Sequence, residues 1–471
     1  MELSLSGNLL MIRPWMPELE GELFFWRREF SPSGGKPKMR KETMYYTHEV
    51  DGEQVGYIPE GLLDRVRNYL NKRNIVYTFK DYRVWSTLPV PDFSKVDVLE
   101  LRDGQDVALV RIAENYNGVI EAPTSFGKSY LIQQICKMYP YLKIVICTPR
   151  KSVVKSLYER LISDIVLKEN VGIISSWKNT GSDWRIVVST VKSLLKTDYE
   201  KTDLLMFDEC HGVGAVTTSG ALAKFSRARK FGFSASPEGR CDGADMALES
   251  MFGPVRFDYT YMEAVDAGSV VPIEVHMYTM RGDTLDTSGR IAIKRWGLWK
   301  NVNRNKKIAE IVNKYGPDEQ VLIMVETLEH AMNLKKELPD YTVVYSNCSE
   351  KRYAGFVKRG LTSDKRMSDR EMMECQNKFE TAELTKVIST SVFREGVNFV
   401  HLRALVRGDG LSGAIPNIQI PGRLSRLDKN KEKGILIDFK DTFNETLERS
   451  SESRIKHYQK AGWKVIYDDK L

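Results

Sequence analysis

An α/β chain of two parallel-sheet halves in tandem, behind a small α+β module, is the fold class the sequence predicts. Three observations carry this. From about residue 96 to 285, short apolar runs alternate with helix-length segments, as βαβ units do. From about 300 to 440 the same alternation repeats. Ahead of residue 95 it is absent; several short strand-like runs crowd around one amphipathic segment.

In the first segment, Leu9–Ile12, Leu23–Trp26, Thr43–Thr47 and Val55–Ile58 read as strands, Gly61–Leu70 as a helix and Ile75–Phe79 as a closing strand. Lys36, Lys38, Arg40 and Lys41 follow Ser33-Gly34-Gly35, beside Trp26, Tyr45 and Tyr46. Such a loop could grip phosphates and stack on bases, or be a solvated hairpin tip over an aromatic core. Pro89, Pro91 and Asp92 mark a linker. Domains are expected at 1–95, 96–290 and 291–471.

In the second segment, Gly118–Ile120 ends as a strand and Tyr130–Ile135 opens a helix. Between them lies Glu121-Ala122-Pro123-Thr124-Ser125-Phe126-Gly127-Lys128-Ser129. A Gly-Lys-Ser between strand and helix is a phosphate-cradling pattern, because the first N–H groups of a helix and its dipole favour an anion. Lys128 would meet the β/γ-phosphates and the Ser129 hydroxyl would ligate Mg²⁺. The strand-like runs Lys143–Cys147, Ile186–Ser189 and Leu204–Phe207 follow, the last leading into Asp208-Glu209. Acidic residues at that end of a buried parallel strand face the ligand crevice. Asp208 would hold Mg²⁺ and Glu209 would act as general base on water. Without a phosphate loop upstream, the pair would more simply cap a strand.

The third segment has strands at Gln320–Val325, Tyr341–Tyr345, Lys386–Thr390, Ala404–Val406 and Gly434–Asp438, and a helix at Leu328–Leu338. It lacks a phosphate loop but carries Gln419-Ile420-Pro421-Gly422-Arg423-Leu424-Ser425-Arg426 at helix-like spacing. Those arginines would neutralise charge on a transferring phosphoryl group, or simply pair with surface acids. Glu445–Ala461 reads as a polar helix and Trp463–Tyr467 as a last strand.

Composition narrows the class. The net charge of +7 permits an acidic partner without requiring one. No run of roughly twenty apolar residues is present to span a bilayer. Met1–Gly7 lacks a basic leader and apolar run, so a cytoplasmic location is expected, in the host cell if the chain is phage-encoded. The six cysteines include no Cys-x-x-Cys pair, which argues against a zinc site or a disulfide framework.

Taken in order, these stretches resemble a superfamily 2 helicase over about residues 100 to 440. Leu101-Arg102-Asp103-Gly104-Gln105 resembles the adenine-reading segment, and Thr148-Pro149-Arg150 and Ser189–Leu194 the strand-gripping motifs. Asp208-Glu209-Cys210-His211 is similar to the Asp-Glu-x-His box and Phe233–Pro237 to the Ser-Ala-Thr motif. Ser389–Asn398 resembles motif five and Gln419–Arg426 motif six. Departures stand at Gly104, Ala122, Cys210, Ser236 and Asn398. The short accessory module looks like phage branch-migration helicases of the UvsW, XPB and RecG type.

The resemblance implies two RecA-like domains using ATP and Mg²⁺. Catalysis would fall to Lys128, Asp208, Glu209, Gln419, Arg423 and Arg426. Nucleotide contacts would come from Arg102, Gln105, Thr124, Ser125, Phe126, Gly127, Lys128, Ser129, Gly396 and Asn398, with Ser129 and Asp208 on the metal. Nucleic acid would meet Thr148, Pro149, Arg150, Thr190 and Thr390, together with Lys36, Lys38, Arg40 and Lys41. The partner expected is branched DNA, a fork or four-way junction, bound by a monomer. An RNA helicase, an ATP-switched structure-selective DNA-binding protein and a restriction-system translocase subunit are the competing readings.

Overall fold

The computed structural model describes residues 1–29, 38–123, 125–149, 151–211, 216–235, 245–346, 348–394, 399–412, 417–418, 420–429 and 431–468. The chain divides into two compact units, Met1–Thr260 and Tyr261–Leu471.

The first unit opens with β1 (Glu2–Ser6), β2 (Leu9–Arg13), β3 (Phe24–Glu29), β4 (Lys38–Thr43), β5 (Tyr46–Val50), β6 (Glu53–Pro59) and β7 (Thr78–Asp81). Five of these form a mixed sheet in the order β5-β6-β2-β1-β7, while β3 and β4 pair only with each other. The helix Leu63–Lys72 lays Val66 and Leu70 on that sheet against Leu3, Leu5, Leu10 and Ile12. The run Thr43–Thr47, expected as one strand, breaks at Met44, whose N–H bonds the Leu23 carbonyl and ties the β3–β4 ribbon to its base.

A parallel sheet follows, made of β8 (Gly118–Glu121), β9 (Ile144–Thr148), β10 (Val171–Ile174), β11 (Ile186–Thr190), β12 (Leu204–Asp208), β13 (Arg229–Ser234) and β14 (Val255–Asp258). Its order is β10-β11-β9-β12-β13-β8-β14, with every pairing parallel. Strands β9 to β13 are buried throughout, as strands covered on both faces must be. The accessory sheet is fastened to this one by charge. The buried Lys230 ammonium of β13 reaches Glu60 at 2.6 Å, and Arg83 reaches Glu60 at 3.4 Å and Asp81 at 2.6 Å. Arg65–Glu249 at 2.5 Å and Asp64–Arg256 at 2.6 Å add two half-exposed pairs.

The second unit holds β15 (Ile273–Met280), β16 (Gln320–Met324), β17 (Thr342–Val344), β18 (Lys386–Ser389), β19 (Leu402–Arg407), β20 (Gly434–Asp441) and β21 (Lys464–Tyr467), in the order β17-β18-β16-β19-β20-β15-β21, again all parallel. Strand β15 pairs with β20 and β21, so this unit begins ahead of the expected boundary at 290. Asp438, within Asp438-Phe439-Lys440, is fully buried; Arg454 donates to both of its oxygens at 2.8 and 3.0 Å, and the Tyr458 hydroxyl donates at 2.8 Å. That carboxylate braces the sheet against the helix Glu445–Lys460.

Removing one partner of a buried ion pair typically costs about 3–5 kcal/mol, because the other charge stays buried. Glu60→Ala, which leaves the buried Lys230 without a carboxylate while Arg83 keeps Asp81, is expected to lower the unfolding free energy of the first unit by that order in a denaturant titration. A loss of less than about 1 kcal/mol would mean the network does not fasten the module.

Candidate functional site

In a parallel sheet all strands end on one edge, so the loops after β8, β9, β11, β12 and β13 gather there. The phosphate-loop stretch leaves β8, with the Ala122 N–H on the Ser234 carbonyl at the end of β13. The ring of Phe126 is buried against Phe257 and Tyr259 and anchors the loop. Gly127 precedes the helix Lys128–Met138 with φ +89°, and a Cβ there would lie 2.8 Å from Gln105 Nε2. Glycine is therefore required by both conformation and space. Ala122 is buried and does not take a left-handed backbone, so alanine stands in place of the usual glycine without strain.

Arg102 and Gln105 fix the loop from outside. Gln105 donates to the Phe126 carbonyl at 2.7 Å and accepts from the Arg102 N–H at 2.9 Å; the Arg102 guanidinium donates to the Ser125 carbonyl at 2.8 Å. Gly104 begins the helix Gln105–Glu114 at φ +76°, and a Cβ there would sit 2.9 Å from the Tyr259 ring. Tyr259 fills the space a side chain at 104 would need, and its hydroxyl bonds Asp103 at 2.5 Å.

The Lys128 ammonium is buried and donates to the carbonyls of Ala122 at 2.8 Å and Pro123 at 3.2 Å. Ser129 is half-buried in the first helical turn. At the end of β12, Asp208 is buried, and its pKa is pushed up to about 7 by burial and by the charge of Glu209. Lys128 and the Glu209 N–H, which donates to Asp208 at 3.1 Å, pull the other way. Among the described residues Asp208 has no ion-pair partner within salt-bridge range, so a cation beside it would favour the ionised form. No group of three or more His, Cys, Asp or Glu among the described residues could hold a metal.

Glu209 stands at φ +57°, a strained conformation for a residue with a side chain and one that recurs at active sites. His211 Nδ1 lies 3.3 Å from its carboxylate and 3.1 Å from Ser234 Oγ. Ser234 thus joins the box to the end of β13. Sequence reading placed it in a motif but not among the site residues; the signal was the Ser234-Ala235 pair itself. Cys210 points away into the core, where burial pushes its thiol pKa well up.

Thr148 and Thr190 end β9 and β11 and are register partners, both buried. Thr148 Oγ1 finds no hydrogen-bond partner among the described residues. Pro149 is exposed beside it. Lys38, Arg40 and Lys41 lie on β4 of the accessory ribbon, which pairs only with β3. Arg40 pairs with Glu29 at 3.4 Å. Thr124, Arg150 and Lys36 lie outside the described residues.

In the second unit, Pro421–Ser425 is a 3₁₀ turn rather than the helix-like segment expected. Pro421 has no N–H to continue an α-helical ladder. The turn holds Arg423 and ends at Arg426, whose backbone is extended, while Leu424 is buried in the core. Arg423 donates to the Phe393 carbonyl at 3.3 Å and lies over the Phe399 ring at 5.3 Å. Thr390, buried after β18, donates its N–H to the Val344 carbonyl at 3.2 Å. Gln419, Gly396 and Asn398 lie outside the described residues.

Residues 98–239 match the family model described as type III restriction enzyme, res subunit. Helicase 22 of Sulfolobus islandicus filamentous virus is 25% identical over 356 residues, 68% of this chain and 60% of that protein. Helicase D10 of Escherichia phage T5 is 21% identical over 431 residues, 90% and 87% of the two chains. The fragment structure of an HsdR subunit of a type I restriction enzyme from Vibrio vulnificus superposes with a TM-score of 0.57 at 14% identity, covering 98% of this chain and 93% of that one. The chain spans 60% of the length of the first of these relatives. Two parallel sheets in tandem place the fold in the class of paired RecA-like domains. Within that class, the chain is similar over residues 98–239 to the restriction-enzyme res family and, at 21–25% identity, to two viral helicases.

Gln105→Ala removes two hydrogen bonds that hold the loop. Leaving a buried carbonyl unsatisfied costs about 1–3 kcal/mol, so affinity for a fluorescent ATP analogue is expected to fall about tenfold or more. Unchanged affinity would mean the loop keeps its path without Gln105.

Proposed function

We propose that the chain is an ATP-dependent DNA helicase or translocase that unwinds or branch-migrates forked and junction DNA in replication, recombination or repair. The observation that supports this most is the meeting of a buried ammonium, a buried carboxylate and a strained glutamate at one sheet edge: Lys128, Asp208 and Glu209. Lys128 and the helix N-terminus would hold the β/γ-phosphates of ATP; Ser129 and Asp208 would hold Mg²⁺. Bound Mg²⁺ supplies charge neutralisation on the phosphates. Glu209 orients a water and accepts its proton. His211, between Glu209 and Ser234, passes a shift of the box to β13.

The reading requires Arg423 and Arg426 to face the nucleotide held on the first domain, where they would offset charge developing on the γ-phosphate. Thr148, Pro149, Arg150 and Thr190 on one domain and Thr390 on the other would grip one strand's phosphates. Backbone contacts carry no sequence information, so the motor would be sequence-indifferent and salt-sensitive. The names of the viral relatives support helicase activity; the preference for branched DNA rests on the accessory module and its basic ribbon.

Glu209→Gln is expected to lower DNA-stimulated ATP turnover by about 10²–10⁴-fold, the usual worth of a general base, while ATP binding persists. Arg423→Ala is expected to cost about 10³-fold. Turnover compared on single-stranded DNA, a fork, a four-way junction and RNA should be highest with branched DNA. Stimulation by RNA alone would replace DNA with RNA as the track. Normal turnover in Glu209→Gln would remove Glu209 as the base, and DNA binding without turnover in the unmodified chain would leave an ATP-switched binding protein.

A further inference from the structure

The β3–β4 ribbon has two chemically different faces. Side chains two apart on a strand share a face, and register partners lie opposite each other on it. Pairs Phe25–Glu42, Arg27–Arg40 and Glu29–Lys38 occupy one face. There Phe25 is buried, Arg27 forks onto Glu42 at 2.9 and 3.1 Å, and Arg40 meets Glu29 at 3.4 Å. Two of its three cations, Arg27 and Arg40, are paired with its two acids. Pairs Phe24–Thr43, Trp26–Lys41 and Arg28–Met39 occupy the other face. Among the described residues that face carries no carboxylate.

Trp26 is 51% exposed and Met39 is 52% exposed on this second face. The Phe24 ring meets the indole edge-on at 6.4 Å and 90°, which fixes its orientation, and the Lys41 ammonium lies 4.3 Å from the Phe24 centroid. Arg28 is exposed and has no acid within salt-bridge range among the described residues. An exposed, oriented indole between two uncompensated cations is the arrangement that stacks a base and holds its flanking phosphates. Bases inside a duplex are already stacked and cannot offer a free face; an unpaired nucleotide can.

We propose that the Trp26, Arg28 and Lys41 face of the β3–β4 ribbon binds an unpaired nucleotide, the indole stacking on the base and the two cations holding its phosphates. The inference rests on the reading of the chain as a nucleic-acid motor and narrows its accessory contact. It also redraws the basic cluster expected from sequence: Lys41 belongs to the binding face, whereas Lys38 and Arg40 lie on the face that carries Glu29 and Glu42. Every base has a π-face, so the contact is sequence-tolerant, and it places the accessory module on single-stranded regions next to a branch.

The test is fluorescence anisotropy of the full chain, without nucleotide, on a labelled single strand and on a blunt duplex over a range of salt. Trp26→Ala is expected to weaken single-strand binding at least about fivefold and duplex binding little, and Trp26→Phe to recover most of the loss. Arg28→Gln with Lys41→Gln is expected to flatten the single-strand salt dependence by about one unit or more of log–log slope. Lys72→Gln, which removes one charge from another exposed part of the module, should leave that slope unchanged. Parental single-strand affinity in Trp26→Ala, or equal losses on strand and duplex, would overturn the proposal. Because no ATP is present, a chain that failed to hydrolyse ATP would still pass or fail this assay independently.

Discussion

The structure of the site depends on two opposite charges withdrawn from water at the same edge of a sheet. Lys128 retains 7% of its exposure and Asp208 5%. Ionised groups are buried only where fixed dipoles, partners or a ligand make up for lost hydration. Loop carbonyls provide part of this for Lys128, and the Glu209 N–H provides part for Asp208. The remaining shortfall is opposite in sign at the two groups, an anion being wanted at one and a cation at the other. A magnesium nucleotide has both characters. The left-handed Glu209 is the backbone consequence of turning out of β12 directly after Asp208.

Around that edge the chain uses buried charge for a different purpose. Lys230–Glu60–Arg83 and Arg454–Asp438–Tyr458 are closed networks whose members satisfy one another. They fasten a module or a helix to a sheet and leave nothing for a ligand. The contrast separates functional from architectural charge without appeal to sequence similarity.

Much of this was legible in the sequence because it is local. The phosphate-loop stretch, the Asp-Glu box and the threonines at strand ends need only a strand before them, and each apolar run supplies one. Strand β15 was harder to see: Ile273-Glu274-Val275-His276-Met277-Tyr278 alternates polar and apolar residues where a parallel core strand usually does not. Contacts between distant positions were illegible. Tyr259 filling the space beside Gly104, and Lys230 reaching Glu60, join residues that no periodicity connects. The two faces of the ribbon depend on the pairing register of β3 and β4, so charge counting grouped Arg40 with Lys41 although they face opposite ways.

The most direct measurement is a crystal structure of the chain with Mg²⁺, ADP and a fluoride mimic of the transferring phosphoryl group. The account predicts Lys128 and at least one of Arg423 and Arg426 within hydrogen-bond distance of the mimic, with Asp208 on the Mg²⁺ side. A complex in which Lys128 holds the phosphates while both arginines stay away from them would contradict the two-domain mechanism.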